Sequence, residues 1–465
     1  MIAPEIITPV HPGWPLVGNS LEFARDPLAT FTRLSNTYER VVRISIGGRN
    51  QFVALRAEDV RHVMQENHRN YVRSPAFLVL KIFLGEGLLT SDGDFWRRQR
   101  RLAQPAFHRQ KLIVLAQVMV QEASAWISEI GHLDLSKPVN VSQSLMDVTM
   151  RIVCKTLFSS DLSANAGRLD GLSNALETVN YLANKMLMSP IKIPMSWPTP
   201  DNIRYRRAKK LVDDLIYGFI ASRRKTGDSR DDLLDMLLNA VDDETGAGMS
   251  DQQLRDECVT LFTAGHETTA VSMAWTLHLL SQHPDVLARM RAEAQQHLGD
   301  VDTPAPEAFR ALTYTLQVIQ ESMRLYPPAW VMSRMAVADD QLGDHRIPAG
   351  NTVIMSPYLL HRDPRHWEQP DVFDPERFAL ARSDGPRGKE RHSYAYMPFG
   401  GGPRLCIGNQ FALMEMQIML GLFARTFSLE ALPGQRVVPQ PLITLRPKKQ
   451  VLLTVQNNLP ISLVT

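Results

Sequence analysis

Between residues 41 and 54 apolar and polar positions alternate. Val42, Ile44 and Ile46 interleave with Arg43 and Ser45, Gly47-Gly48 follow, and Phe52-Val53 resume the apolar side. Period-two alternation around a glycine turn predicts a β-hairpin. From about 57 to 298 the apolar residues recur three and four apart, which predicts mainly helices separated by polar turns such as "KTGDSR" and "DDETGAGMS". Ser250 with Gln253 fits a capping box, and His283-Pro284 marks an end, so the interval predicts about 30 residues or roughly 45 Å of helix. Further helices are predicted over 312–325 and 409–427, with short strands at "NTVIMSP" and "QVLLTV". The Pro-rich opening up to Asn19 reads as irregular, and "ALARSDGPRGKERHSYAY" as a polar surface excursion. No repeat or long linker interrupts this pattern. The expectation is a mostly α fold with a minor β part, in one domain over 1–465.

Charge narrows the partners. Lys and Arg total 51 against 49 Asp and Glu, so whole-molecule charge points to no nucleic acid. No run of about 18 apolar residues occurs, and the N-terminus lacks a basic stretch followed by a long apolar one. The expectation is a cytoplasmic protein without a transmembrane anchor. The three cysteines, Cys154, Cys258 and Cys406, are too scattered for a disulfide framework or a multi-thiolate metal site. Cys154, within "MRIVCKTLF", reads as a small core residue.

Cys406 stands in a different setting, "FGGGPRLCIG", immediately before the predicted helix "NQFALMEMQIMLGLF". A thiolate is a strong soft ligand for iron. A helix N-terminus favours thiolate over thiol. Gly402 and Gly408, lacking Cβ atoms, allow backbone to come close to a flat macrocycle. The pattern Phe399-x-x-Gly402-x-Arg404-x-Cys406-x-Gly408 resembles the haem-binding loop of the cytochrome P-450 family. That resemblance implies Cys406 as the axial iron ligand of haem b, Arg404 facing a haem propionate and Phe399 shielding the sulfur.

The rest of the chain carries matching motifs. "ESMRLYPP" with the later "FDPERF" resembles the family's Glu-x-x-Arg network, implying a buried structural trio of Glu321, Arg324 and Arg377. Leu254, Cys258, Leu261, Gly265 and Thr268 follow one helical stripe, and Thr268 there either bonds back to a carbonyl or faces a site. "AGHETT" resembles the family's oxygen-activation motif, implying catalytic roles for Glu267 and Thr268 and making His266 a polar neighbour rather than a ligand. Trp96 and Arg100, four apart, resemble the family's propionate pair, and Arg334 fits a further propionate arginine. Arg97, Arg98 and Arg101 exceed what propionates can use, and read either as a solvated face or as a docking patch for an acidic electron donor.

The function implied is a monooxygenase inserting one atom of O2 into a hydrophobic small molecule such as a fatty acid, terpenoid, steroid or polyketide-like compound. Electrons would come from NAD(P)H through a separate ferredoxin or flavodoxin and its reductase. The same resemblance implies a pocket lined by Phe77, Phe83, Leu261, Phe262, Ala264, Ala329, Trp330, Leu442 and Ile443. A peroxide-using or hydroperoxide-rearranging enzyme is the alternative, disfavoured by the Glu267-Thr268 pair, and a haem gas sensor is a third.

Overall fold

The computed structural model describes residues 8–159, 166–188, 193–227, 230–379 and 391–458. The hairpin forms where alternation placed it. Strand β1 (Val41–Ile46) pairs antiparallel with β2 (Arg49–Ala54) across Gly47 and Gly48, whose φ values of +60° and +72° suit glycine. Three short strands extend it: β3 (Tyr71–Arg73), β4 (Met332–Ala336) and β5 (Thr352–Met355), in the order β1-β2-β5-β4-β3. Of these, β5 was legible in "NTVIMSP"; β3 lies inside the stretch read as helical. In the β3–β4 register Arg73 stands opposite Arg334.

The larger part is helical. The segments that matter for the site are α1 (Phe77–Leu84), α2 (Gly93–Ala103), α3 (Arg109–Gly131) and α4 (Val141–Phe158). They are followed by α5 (Ala166–Met188), α6 (Pro200–Thr226), α7 (Asp251–Leu280), α8 (Pro284–Leu298), α9 (Thr313–Leu325) and α10 (Asn409–Thr426). The Ser250–Gln253 capping box is present in full at the start of α7. Apolar faces of α3, α4, α7 and α10 share one core, in which Trp126 of α3 meets Phe423 of α10 with ring centres 5.7 Å apart. Trp275 of α7 stacks on Tyr326 at 3.9 Å and donates its ring N–H to the Leu445 carbonyl at 2.8 Å, joining the helices to the C-terminal turns. The C-terminal strand Leu452–Asn457 pairs with Phe427–Ala431. Residues 380–390 of the polar excursion lie outside the described residues. Among the described residues no helix is long and apolar enough to cross a membrane.

Candidate active site

Helix α7 is buried on nearly every face, as a helix through the middle of a domain must be. Its exception is local. Ala264 is exposed, and Leu261, Thr263, Gly265 and Thr268 are half-buried. A short exposed patch in the middle of a buried helix borders open interior space. Thr268 lies four residues after Ala264, on the same face. Its hydroxyl donates to the Ala264 carbonyl at 2.6 Å. Gly265 is needed for packing as well, because a Cβ there would stand 3.2 Å from the Val153 methyl of α4.

Cys406 is also exposed, although the helix that follows is buried. Its backbone N–H donates to the Phe399 carbonyl at 3.0 Å, closing the loop. Gly408 occupies the N-cap of α10 with no side chain capping that end. Dense surroundings push the thiol pKa up, opposed by the Gly408 N–H and by the Arg100 charge. A bound cation would tip this balance toward the thiolate. Gly402 has φ +61°, and a Cβ on it would collide with the Met64 carbonyl, so backbone conformation and packing against residues 62–66 account for it. Phe399 is half-buried against the helical core.

Around this loop the arginines converge. Arg404 donates to the Ser91 carbonyl at 2.8 Å and to Asp92 at 2.5 Å, and its guanidinium lies 3.8 Å over the Trp96 ring. Arg100 donates to the Leu405 carbonyl at 2.9 Å, next to the cysteine. Arg334 is buried, bonds to its neighbour's Ser333 carbonyl, and is pushed down to about 10 by burial. Arg73, whose role had no signal in the sequence, stands across the ladder from Arg334, with its Nε buried and unpartnered. Burial first, then the charges of Arg334 and Arg404, hold its pKa well down. Like charges directly opposite on a sheet repel, and Asp92 is the acid set against Arg73, Arg334 and Arg404. Such a cluster calls for a multiply charged anion.

The supporting network is buried at its centre and half-buried at Arg377. Glu321 and Arg324 are fully buried and bonded at 2.7 and 2.8 Å, and Arg377 reaches Glu321 at 3.3 Å. Arg324 also donates to the carbonyls of His361, Pro370 and Val372 at 2.9, 2.6 and 3.0 Å. This placement supplies the partners that a buried ion pair needs.

Several sequence-based expectations are corrected. Glu267 does not share the open face with Thr268: successive residues turn about 100° round a helix, and its carboxylate is buried between the Asn180 amide and the Thr444 hydroxyl. Burial pushes that carboxyl pKa up, with Thr444 and then Arg446 opposing. Phe262 is 1% exposed and packs toward Phe158, on the opposite side of α7 from Ala264. Trp330 is buried against Phe31 and donates to the Leu442 carbonyl at 2.8 Å, so it belongs to the core between the sheet and the N-terminal helix Pro27–Thr37. Phe83 is buried against Tyr205. Phe77, Leu261, Ala264, Ala329, Leu442 and Ile443 retain accessible surface. Leu89, 36% exposed, joins them: the preceding Leu88 N–H is held by Glu257 of α7 at 3.1 Å, and Ser91 is held by Arg404. Its loop position broke the periodicity that would have marked it.

The arginine-rich face of α2 has a structural use. Arg101 pairs with Asp242 and Glu244 at 2.7 and 2.8 Å, and Arg98 donates to the carbonyls of Ala247 and Gly248 at 3.0 Å each. Arg97 pairs with Asp94 of its own helix at 2.7 Å. A surface cleft of about 540 Å³ beside Leu28, Arg33 and Tyr358 contains none of these residues. Among the described residues, no group of three or more His, Cys, Asp or Glu could hold a metal ion.

The comparisons fit this geometry. The family model for cytochrome P450 matches residues 9–455. Cyclooctatin synthase of Streptomyces melanosporofaciens is 35% identical over 437 residues, covering 93% of this chain and 92% of that protein. Cyclooctat-9-en-7-ol 5-monooxygenase of the same organism is 34% identical over 420 residues, covering 90% and 89%. The crystal structure of the cytochrome P450DA heme domain superposes with a TM-score of 0.87 at 27% identity, covering 97% of this chain and 98% of that one. With the exposed cysteine, the accessible patch on α7 and the convergent arginines, these matches show that the chain belongs to the cytochrome P450 family and is a monooxygenase-type oxidoreductase.

Proposed function

We propose that the protein binds haem b through Cys406 and inserts one atom of O2 into a hydrophobic small molecule, with electrons from NAD(P)H delivered by a separate ferredoxin or flavodoxin and its reductase. The observation that carries this reading is the convergence of the buried Arg334 with the half-buried Arg73 and Arg404, the Arg73 Nε itself being buried and unpartnered, beside an accessible cysteine. Two propionates are the anions such a cluster lacks, and the unpartnered Nε of Arg73 is a donor for one of them.

Haem with a proximal thiolate supplies, when bound, the reductive activation of dioxygen. The chain does the rest. Gly408 N–H and Arg100 ease the negative charge on the Cys406 sulfur. Trp96 and Asp92 hold the Arg404 guanidinium in place. The Thr268 hydroxyl keeps its proton on the Ala264 carbonyl and, by turning about χ1, presents it to the open space beside Ala264. Glu267, tied to Thr444, braces the C-terminal turn that carries Leu442 and Ile443. Leu89, Leu261 and Ala329 present apolar surface for binding a substrate and excluding water.

Within the hydrophobic classes, the likeness to a protein named for cyclooctat-9-en-7-ol favours a cyclic, sparingly oxygenated hydrocarbon. The test supplies the purified, haem-loaded protein with a surrogate ferredoxin system, NAD(P)H, isotopically labelled dioxygen and a panel of cyclic alcohols. Label in the product, lost in Cys406→His together with the carbon-monoxide thiolate signature, is the expected result. Product that forms from peroxide alone, with no label from dioxygen, would overturn it.

A further inference from the structure

The Glu321–Arg324–Arg377 network touches neither Cys406 nor the open face of α7, so its connection to the loop needs a physical carrier. The geometry points to His361 as the positioning residue that links this network to the cysteine loop, by accepting the Met397 backbone N–H on its Nε2. The bond is 2.9 Å long and buried, and His361 itself is fully buried. On the other side, the His361 carbonyl accepts from Arg324 at 2.9 Å. Downstream, Gly400 N–H donates to the Met397 carbonyl at 3.0 Å, and Cys406 N–H donates to the Phe399 carbonyl at 3.0 Å. An unbroken run of short contacts thus leads from Glu321 to the sulfur-bearing residue.

The flanking backbone is fixed by other means. Trp367 donates its ring N–H to the Ala395 carbonyl at 3.2 Å, and Tyr396 donates its hydroxyl to the Gln320 carbonyl at 2.9 Å while its ring lies 5.1 Å from that of His361. Tyr394 N–H is held locally by the His392 ring at 3.2 Å, whereas Met397 N–H is held by a side-chain nitrogen from the network's own element. A buried N–H that loses its acceptor keeps the full cost of its desolvation. Accepting at Nε2 puts the ring proton on Nδ1 and requires the neutral form. The surroundings enforce this: burial first, then the charges of Arg324 and Arg362, push the imidazole down to about 3. Backbone hydrogen bonding at Arg324 and Met323 opposes this shift without reversing it, so the neutral ring can accept at Nε2.

The experiment compares haem-loaded wild type with His361→Gln, whose amide oxygen can still accept from Met397, and His361→Leu, which cannot. Two readouts are taken: the fraction of the reduced carbon-monoxide complex with the thiolate signature, and the rate at which that fraction decays to the thiol form. His361→Leu is expected to decay roughly tenfold faster or more, as a buried hydrogen bond lost should produce, with His361→Gln close to wild type. If His361→Leu does not fold, His361→Gln alone decides: a wild-type signature supports the role, and a lost signature with native circular dichroism overturns it. A wild-type decay rate in His361→Leu, or equal loss in both variants, also overturns it.

Discussion

At Thr268, one hydroxyl serves both helix geometry and the open space in front of it. Its bond to the Ala264 carbonyl is the ordinary back-bond of a helical threonine, yet Ala264 is exposed where its helix is otherwise buried. Thr268→Ala should therefore leave folding and haem binding intact. NAD(P)H consumption should continue, while product per NAD(P)H falls by roughly tenfold or more, the scale of a lost positioned proton. Unchanged coupling with a native substrate would reduce Thr268 to a helix residue. Glu257, 1% exposed on the same face two turns before Ala264 and three before Thr268, sets a different test. Burial pushes its carboxyl up to about 8, with the Leu88 N–H opposing and Asp256 adding. A folded pKa above the unfolded one gives stability that is complete below the ordinary carboxylate range and lost as pH rises through about 8. Glu257→Gln should flatten that loss and gain on the order of a few kcal/mol at alkaline pH. Thermal midpoints of both proteins at mildly acid and alkaline pH measure it, and parallel curves would refute it.

Helix α2 shows how charges that look free in a sequence are used by an element. Arg98 and Arg101 fasten residues 242–248, the segment that leads into the capped start of α7. Hydrogen bonding from Arg101 first, helped by Thr245, holds Asp242 below the usual carboxylate range. A depressed folded pKa gives stability present above the unfolded pKa and lost as pH falls through the folded one. Arg101→Gln should thus speed amide exchange across 242–250 at neutral pH, and the difference from wild type should vanish in acid. Equal exchange at neutral pH would refute the anchoring. The periodic pattern marked α7, α9 and α10 because their apolar stripes and caps are local properties of the chain. It could not say which apolar residues of a stripe face a cavity: Phe262 and Ala264 are neighbours in sequence, and only the packing of Phe158 separates core from open face. Trp330 escapes the pattern for the same reason, since the Phe31 it packs on lies about 300 residues away in the chain.

For the whole molecule, the electrostatic feature of greatest consequence is the near-neutral total hiding a largely desolvated cationic centre. The sequence marks the cysteine loop, Glu321 with Arg324, and Trp96 with Arg100 because each lies in a dense local pattern, and the structure sets Arg404 over Trp96 and Arg100 against the Leu405 carbonyl. Arg73 carries no such mark, because it faces Arg334 through a strand register that links residues 71–73 to 334–336. Without an anion, Arg73 contributes a desolvated charge opposed by Arg334 and Arg404; with a bound dianion it becomes a paired donor. Removing it should then have opposite effects on the two forms. Arg73→Leu should raise the thermal midpoint of the haem-free protein, by an amount corresponding to about 1–3 kcal/mol for one unpaired buried group. It should also weaken haem retention, seen as faster transfer to apomyoglobin. Multivalent anions such as pyrophosphate should stabilise haem-free wild type more than haem-free Arg73→Leu, and should leave the loaded proteins alike. A variant that is less stable in both forms would show Arg73 to be a packing residue of β3, and the cationic centre would then rest on Arg334 and Arg404 alone.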